Sequence, residues 1–90
     1  MPTLEMVGHV YEEAKKLMEE REQDYNDSWL QEGLTSMVGS QFKKASQIKT
    51  MFENGRWKGN ITRFKEDILD QINYCVFMYK LVEMDEPKTH

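Results

Sequence analysis

Residues 61–84 read Ile61-Thr62-Arg63-Phe64-Lys65-Glu66-Asp67-Ile68-Leu69-Asp70-Gln71-Ile72-Asn73-Tyr74-Cys75-Val76-Phe77-Met78-Tyr79-Lys80-Leu81-Val82-Glu83-Met84, and the placing of apolar side chains in this stretch decides the fold. One stripe, Ile61, Phe64, Ile68, Ile72, Cys75, Tyr79 and Val82, advances in steps of three and four, the mark of an amphipathic helix. A second stripe holds Tyr74, Phe77, Met78 and Leu81. A helix that is apolar nearly all round cannot face water in a three-helix protein without cost. Covering both stripes takes a central position or a second subunit. The expected fold is therefore all-α: an antiparallel three-helix unit that completes a larger bundle as a homo-oligomer, most simply a two-fold dimer.

Working outward, Asn60 is placed to cap this helix, and Asn54-Gly55 to end the preceding one in a left-handed turn. That preceding helix is expected over about 29–53, with Leu34, Val38, Phe42, Ala45, Ile48 and Phe52 as its apolar positions. Ser28 and Gln31 fit a capping box at its start. Gly33 and Gly39 weaken it and allow a break before Leu34. The first helix is expected over about 4–24, behind Thr3 as N-cap, with Leu4, Val7, Val10, Tyr11, Ala14, Leu17 and Met18 on its apolar side. The third is expected over about 61–84, with a tail at 85–90. Ninety residues make one domain.

Composition excludes several classes. A single cysteine, Cys75, forms no intrachain disulfide and builds no thiolate zinc site; its place on the first stripe marks it as a small core residue. The N-terminus lacks a basic start and apolar run, and the mostly apolar stretch from Ile72 to Met84 is too short and too polar to span a bilayer. A soluble, cytoplasmic protein without membrane contact is the simplest expectation. The net charge of -4 hides an asymmetry. Residues 1–27 carry eight acids and three bases, residues 66–86 six acids and one base, and residues 28–65 seven bases against Glu32 and Glu53. Either these are solvated faces with inter-helix ion pairs, or the basic middle focuses a positive potential on an anion. Overall acidity speaks against duplex DNA as a partner.

Two polar motifs depart from core-and-solvent patterning. In Asp24-Tyr25-Asn26-Asp27-Ser28-Trp29, the aromatic pair can stack on a base while Asp24 or Ser28 hydrogen-bonds it. The structural alternative is a corner that Trp29 covers and Ser28 caps. In the second motif, Asp67, Asp70 and Tyr74 lie at i, i+3 and i+7 on one helix face, with Arg63 a turn earlier; the acidic pair runs into the second apolar stripe and is expected to be partly desolvated. Carboxylates so spaced suit Mg²⁺, which takes oxygen ligands and bridges phosphates; acids near a helix start also simply favour its dipole. Lys43, Lys44 and Lys49 are candidates for phosphate oxygens. Trp57, in Arg56-Trp57-Lys58-Gly59, either marks a contact or packs over the bundle end. There is no Ser-His-Asp set, Walker loop or Rossmann fingerprint.

Lys65-Glu66-Asp67-Ile68-Leu69-Asp70 resembles the Lys-Glu-Glu-x-x-Asp run of MazG-like all-α nucleoside triphosphate pyrophosphohydrolases. The resemblance implies Mg²⁺ ligation by Asp67 and Asp70. That family's second signature, a Glu-x-x-Glu pair on the preceding helix, is replaced here by Gln41-Phe42-Lys43-Lys44-Ala45-Ser46-Gln47-Ile48-Lys49, so the expectation leans away from catalysis. Residues 15–83 resemble the small nucleotide-modification-associated helical domain of phages and bacteria. Asp24, Tyr25, Ser28 and Trp29 match its Asp-Tyr-Gly-x-Ser-Trp signature, with Asn26 in place of Gly. Lys43, Lys44 and Lys49 match its basic middle helix, and Asp67, Asp70, Asn73 and Tyr74 its last run. This resemblance implies a phage or bacterial protein that binds a nucleotide or nucleotide-derived metabolite. The competing expectations are a divergent Mg²⁺-dependent pyrophosphohydrolase and a protein-interaction module such as a phage inhibitor of a host or defence protein.

Overall fold

The computed structural model describes residues 2–21 and 28–85, and of Ser28 and Trp29 the backbone alone. Helix α1 spans Pro2–Glu20, α2 spans Ser28–Glu53, a 3-10 turn covers Arg56–Gly59, and α3 spans Ile61–Asp85. The described residues are thus all-α, with no strand. Helix α3 lies between the other two, packing along both, while α1 and α2 make little contact with each other. No helix among the described residues is long and apolar enough to cross a membrane.

Helix ends follow local chemistry. Pro2 opens α1, where its missing N–H is no loss, so Thr3 sits inside the helix and is not its cap. The Arg21 N–H bonds Leu17 O at 3.1 Å as α1 closes, and the expected extension to residue 24 falls outside the described residues. Gly33 breaks α2 with φ 82° and ψ 178°, a conformation open to glycine, so a short segment precedes the long helix. Gly55 adopts the left-handed conformation at φ 76°. Beside it the Asn54 N–H bonds Thr50 O at 3.1 Å and the Arg56 N–H bonds Asn54 Oδ1 at 2.9 Å. Asn60 Oδ1 then accepts the Arg63 N–H at 3.2 Å and caps α3. Trp57 packs in this corner, its ring centroid 6.3 Å from Phe52 and 5.5 Å from Phe64, with Lys58 Nζ 5.9 Å from the indole. The corner returns α3 antiparallel to α2, setting Gln41 against Cys75 and Lys44 against Asp67 and Asp70.

The helix faces differ from the expectation. On α3 the buried residues are Asp67, Asp70, Asn73 and Phe77. Tyr74, Met78 and Leu81 of the second stripe are half-buried beside Phe77, whereas Ile61, Ile68, Cys75, Tyr79 and Val82 of the first stripe are exposed. Cys75 is therefore not a core residue. On α2 the expected apolar positions Leu34, Val38, Phe42, Ala45 and Phe52 are exposed, and Met37 is buried instead. The reason is electrostatic. Both helices are rolled so that Lys44 meets the α3 carboxylates at the helix junction, and three helices cannot also cover the apolar sides this turns away.

Candidate functional site

The junction of the three helices holds a compact ion cluster. Asp67 and Asp70 share one face of α3 and are each 2 % exposed. Lys44 from α2 lies between them, donating from Nζ to Asp67 Oδ1 at 3.2 Å and lying 3.3 Å from Asp70 Oδ2. From the end of α1, Arg21 Nη1 donates to Asp70 Oδ1 at 2.7 Å, and Nη2 lies 3.5 Å from Glu66 Oε2. Arg63 Nε donates to Asp67 Oδ1 at 3.3 Å, one turn earlier on α3. Three carboxylates thus face three cations, a balance that buried charge requires. Asn73, also buried, donates from Nδ2 to the Ala14 carbonyl at 3.1 Å and fastens α1 to α3. Burial by itself pushes the Lys44 ammonium down, but hydrogen bonds and charge from Asp67 and Asp70 outweigh it and raise its pKa above the usual 10.5.

This donor set does not suit a resident divalent cation. Mg²⁺ demands near-octahedral oxygen coordination. Here the ammonium of Lys44 lies between the two carboxylates, and guanidinium groups take further lone pairs on each. A metal on Asp67 and Asp70 has to displace Lys44 first. Among the described residues, no group of three or more acids, histidines or cysteines is placed to hold an ion.

Beside the cluster runs an open groove of about 610 Å³ between α2, the 3-10 turn and the start of α3. Its cations are Lys43, Arg56 and Arg63, and its neutral polar groups are Ser46, Gln47 and Thr50. Asp67 forms its inner edge, already engaged by Lys44 and Arg63. Lys43 and Arg56 have no carboxylate partner among the described residues. Three cations with two hydroxyls and an amide suit the oxygens of a phosphate group, since Arg binds them in a fork and Lys as a point charge.

The candidate residues divide. Asp67, Asp70, Asn73 and Lys44 converge, but as an ion cluster and a helix fastener. Lys43 reaches the groove. Lys49 does not: its ammonium pairs with Glu53 at 3.2 Å, exposed on the far part of α2. Tyr74 is half-buried on α3. Asp24 and Tyr25, with the side chains of Ser28 and Trp29, lie outside the described residues. Sequence reading overlooked Arg21, although it continues the buried steps Ala14, Leu17 and so stands where a helix end meets its neighbour. It also overlooked Ser46, Gln47 and Thr50, which follow Lys43 at helical spacing and form one polar stripe with it. Comparison with protein-family models, with curated proteins and with solved structures gives no match for this chain.

Proposed function

We propose that the chain binds a phosphorylated small ligand, a nucleotide or nucleotide-derived metabolite, in the groove of Lys43, Arg56 and Arg63, without catalysing a reaction on it. One observation carries this reading. Acids outnumber bases sixteen to twelve in this chain, yet Lys43 and Arg56 stand in one groove with no described carboxylate to neutralise them. Positive charges gathered against the trend of the molecule raise the local concentration of anions. Ser46, Gln47 and Thr50 add uncharged donors along the same wall. Tyr25 and Trp29 remain the candidates for stacking on a base, a role supported by the motif alone. Mg²⁺ is the companion of the ligand's phosphates in this reading and not a resident of Asp67 and Asp70.

Thermal shift with inorganic triphosphate and a nucleoside triphosphate panel, with and without Mg²⁺, tests the proposal. At a hundred times its dissociation constant a true ligand adds about 2.7 kcal/mol of stability. Arg56→Ala and Lys43→Ala should each weaken binding about tenfold, for the loss of one exposed charge-assisted contact. Lys49→Ala, in an exposed pair away from the groove, should leave it unchanged. If no triphosphate shifts the melting temperature, or if Lys49→Ala weakens binding as much as Arg56→Ala, the assignment of this groove is wrong.

A further inference from the structure

The chain exposes more apolar surface than a stable monomer of its size. Among the described residues four apolar side chains are buried, Ala14, Leu17, Met37 and Phe77, against fifteen large ones that are exposed. Total accessible surface is 7178 Å², whereas a folded monomer of this mass should expose about 5,500 Å². The radius of gyration is 15.1 Å where about 12 Å is usual for this length. The surplus surface is therefore about 1,700 Å², and a standard interface removes about 800 Å² from each partner. That deficit is about twice the standard value and falls in the range that an obligate homodimer removes from each chain, about 1,000–2,500 Å².

We infer that a second copy of this chain covers the outward seam of α3. Ile61, Ile68, Cys75 and Val82 recur every seven residues along it, with Ile72 and Tyr79 between them. Sustained seven-residue spacing is the pattern by which one helix packs on another. The seam borders an open groove of about 630 Å³, with Tyr11 of α1 and Gln41 of α2 on its walls. Among the described residues, Lys80 is the one charged side chain lining that groove, and its ammonium is paired with Glu83 at 2.9 Å. Lys65, between Ile61 and Ile68, is the one charged residue on the ridge itself, and a seam that carries no acid lets two copies approach although each carries a net charge of -4. It is also self-complementary, since α3 presents the same apolar ridge that its own groove can receive, as a two-fold interface requires. The bare N-terminal part of α1, with Leu4, Val7 and Val10 exposed, continues the uncovered surface. This assignment does not depend on the ligand.

Sedimentation equilibrium together with Cys75 alkylation tests it. The expected mass is twice 10.7 kDa at micromolar concentration. Cys75 should react at least tenfold more slowly in the concentrated native protein than in urea, and faster on dilution through the dissociation range. Ile68→Glu and Tyr79→Glu should each give a single-chain mass and a freely reactive Cys75. Phe42→Glu, on the far side of α2, should remain dimeric. If either seam variant fails to fold, the dilution series on the unaltered chain still decides. A single-chain mass at 100 µM with full helical circular dichroism overturns the inference. So does an assembly in which Cys75 reacts as fast as in urea, which puts the contact elsewhere or gives the seam to another partner.

Discussion

Lys44 makes the hydrophilic interior of this protein tenable. Its ammonium is the shared counter-ion of two carboxylates that are themselves almost fully buried. Removing one partner of a buried pair costs about 3–5 kcal/mol, because it leaves charge without compensation. Lys44→Met should therefore lower the unfolding free energy by about that amount in urea titration, a large share of the 5–15 kcal/mol typical of a domain. Adding Asp70→Asn should restore part of the loss, and a double-mutant cycle measures the coupling. The pH dependence has a definite sign. The folded pKa of Lys44 lies above the unfolded value of 10.5, so its contribution is complete below that pH and disappears as pH rises through the folded pKa. Urea titrations across the alkaline range should show a loss in the unaltered protein that Lys44→Met lacks.

At the scale of the elements, the corner between α2 and α3 controls the site. Gly55, Asn60 and Trp57 together bring Lys43 and Thr50 of α2 alongside Arg56 and Arg63. A side chain at Gly55 meets no atom within 4 Å, so Gly55→Ala acts through its positive φ alone and should cost about 1–2 kcal/mol by thermal denaturation. Asn60→Ala should cost about 1 kcal/mol as the α3 cap is lost. Both variants should weaken triphosphate binding more than an equally destabilising change in α1, because they disturb the groove itself. These turns were legible in the sequence because their cause is local: a left-handed glycine, an Asn cap and a break at Gly33 each lie within a few residues of their effect. Which side of α2 faces inward, and that the first stripe of α3 stays uncovered, was not legible, although the desolvated face of Asp67 and Asp70 was. Periodicity locates an apolar stripe, but it does not weigh that stripe against a carboxylate pair seeking a lysine some twenty residues away.

At the scale of the whole molecule, three helices hold a small core and a large uncovered periphery. On the inferred association, burying the apolar part of this surface at about 25 cal/mol per Å² adds stability that the isolated chain lacks. The melting temperature should accordingly rise with protein concentration, by several degrees between 2 and 200 µM in differential scanning calorimetry, as folding is linked to assembly by mass action. A concentration-independent melt would mean that the three-helix unit holds itself together. The groove lies against the α2–α3 corner and the seam along α3, so binding of a phosphorylated ligand and self-association can be measured separately.

By itself the sequence determined that this protein is helical, where α2 breaks and ends and α3 begins, and that α3 carries more apolar surface than one unit can hide, since capping, turn chemistry and periodicity act over a few residues. The sequence also implied desolvation of the Asp67 and Asp70 face, which runs into the second stripe; only the tertiary structure decided that the burial is nearly complete, that Asn73 fastens α1, that Lys44 serves as counter-ion, and that Lys43 joins Arg56 and Arg63. Those outcomes depend on the balance of charge between segments far apart in the chain, and that balance is struck only when the helices meet.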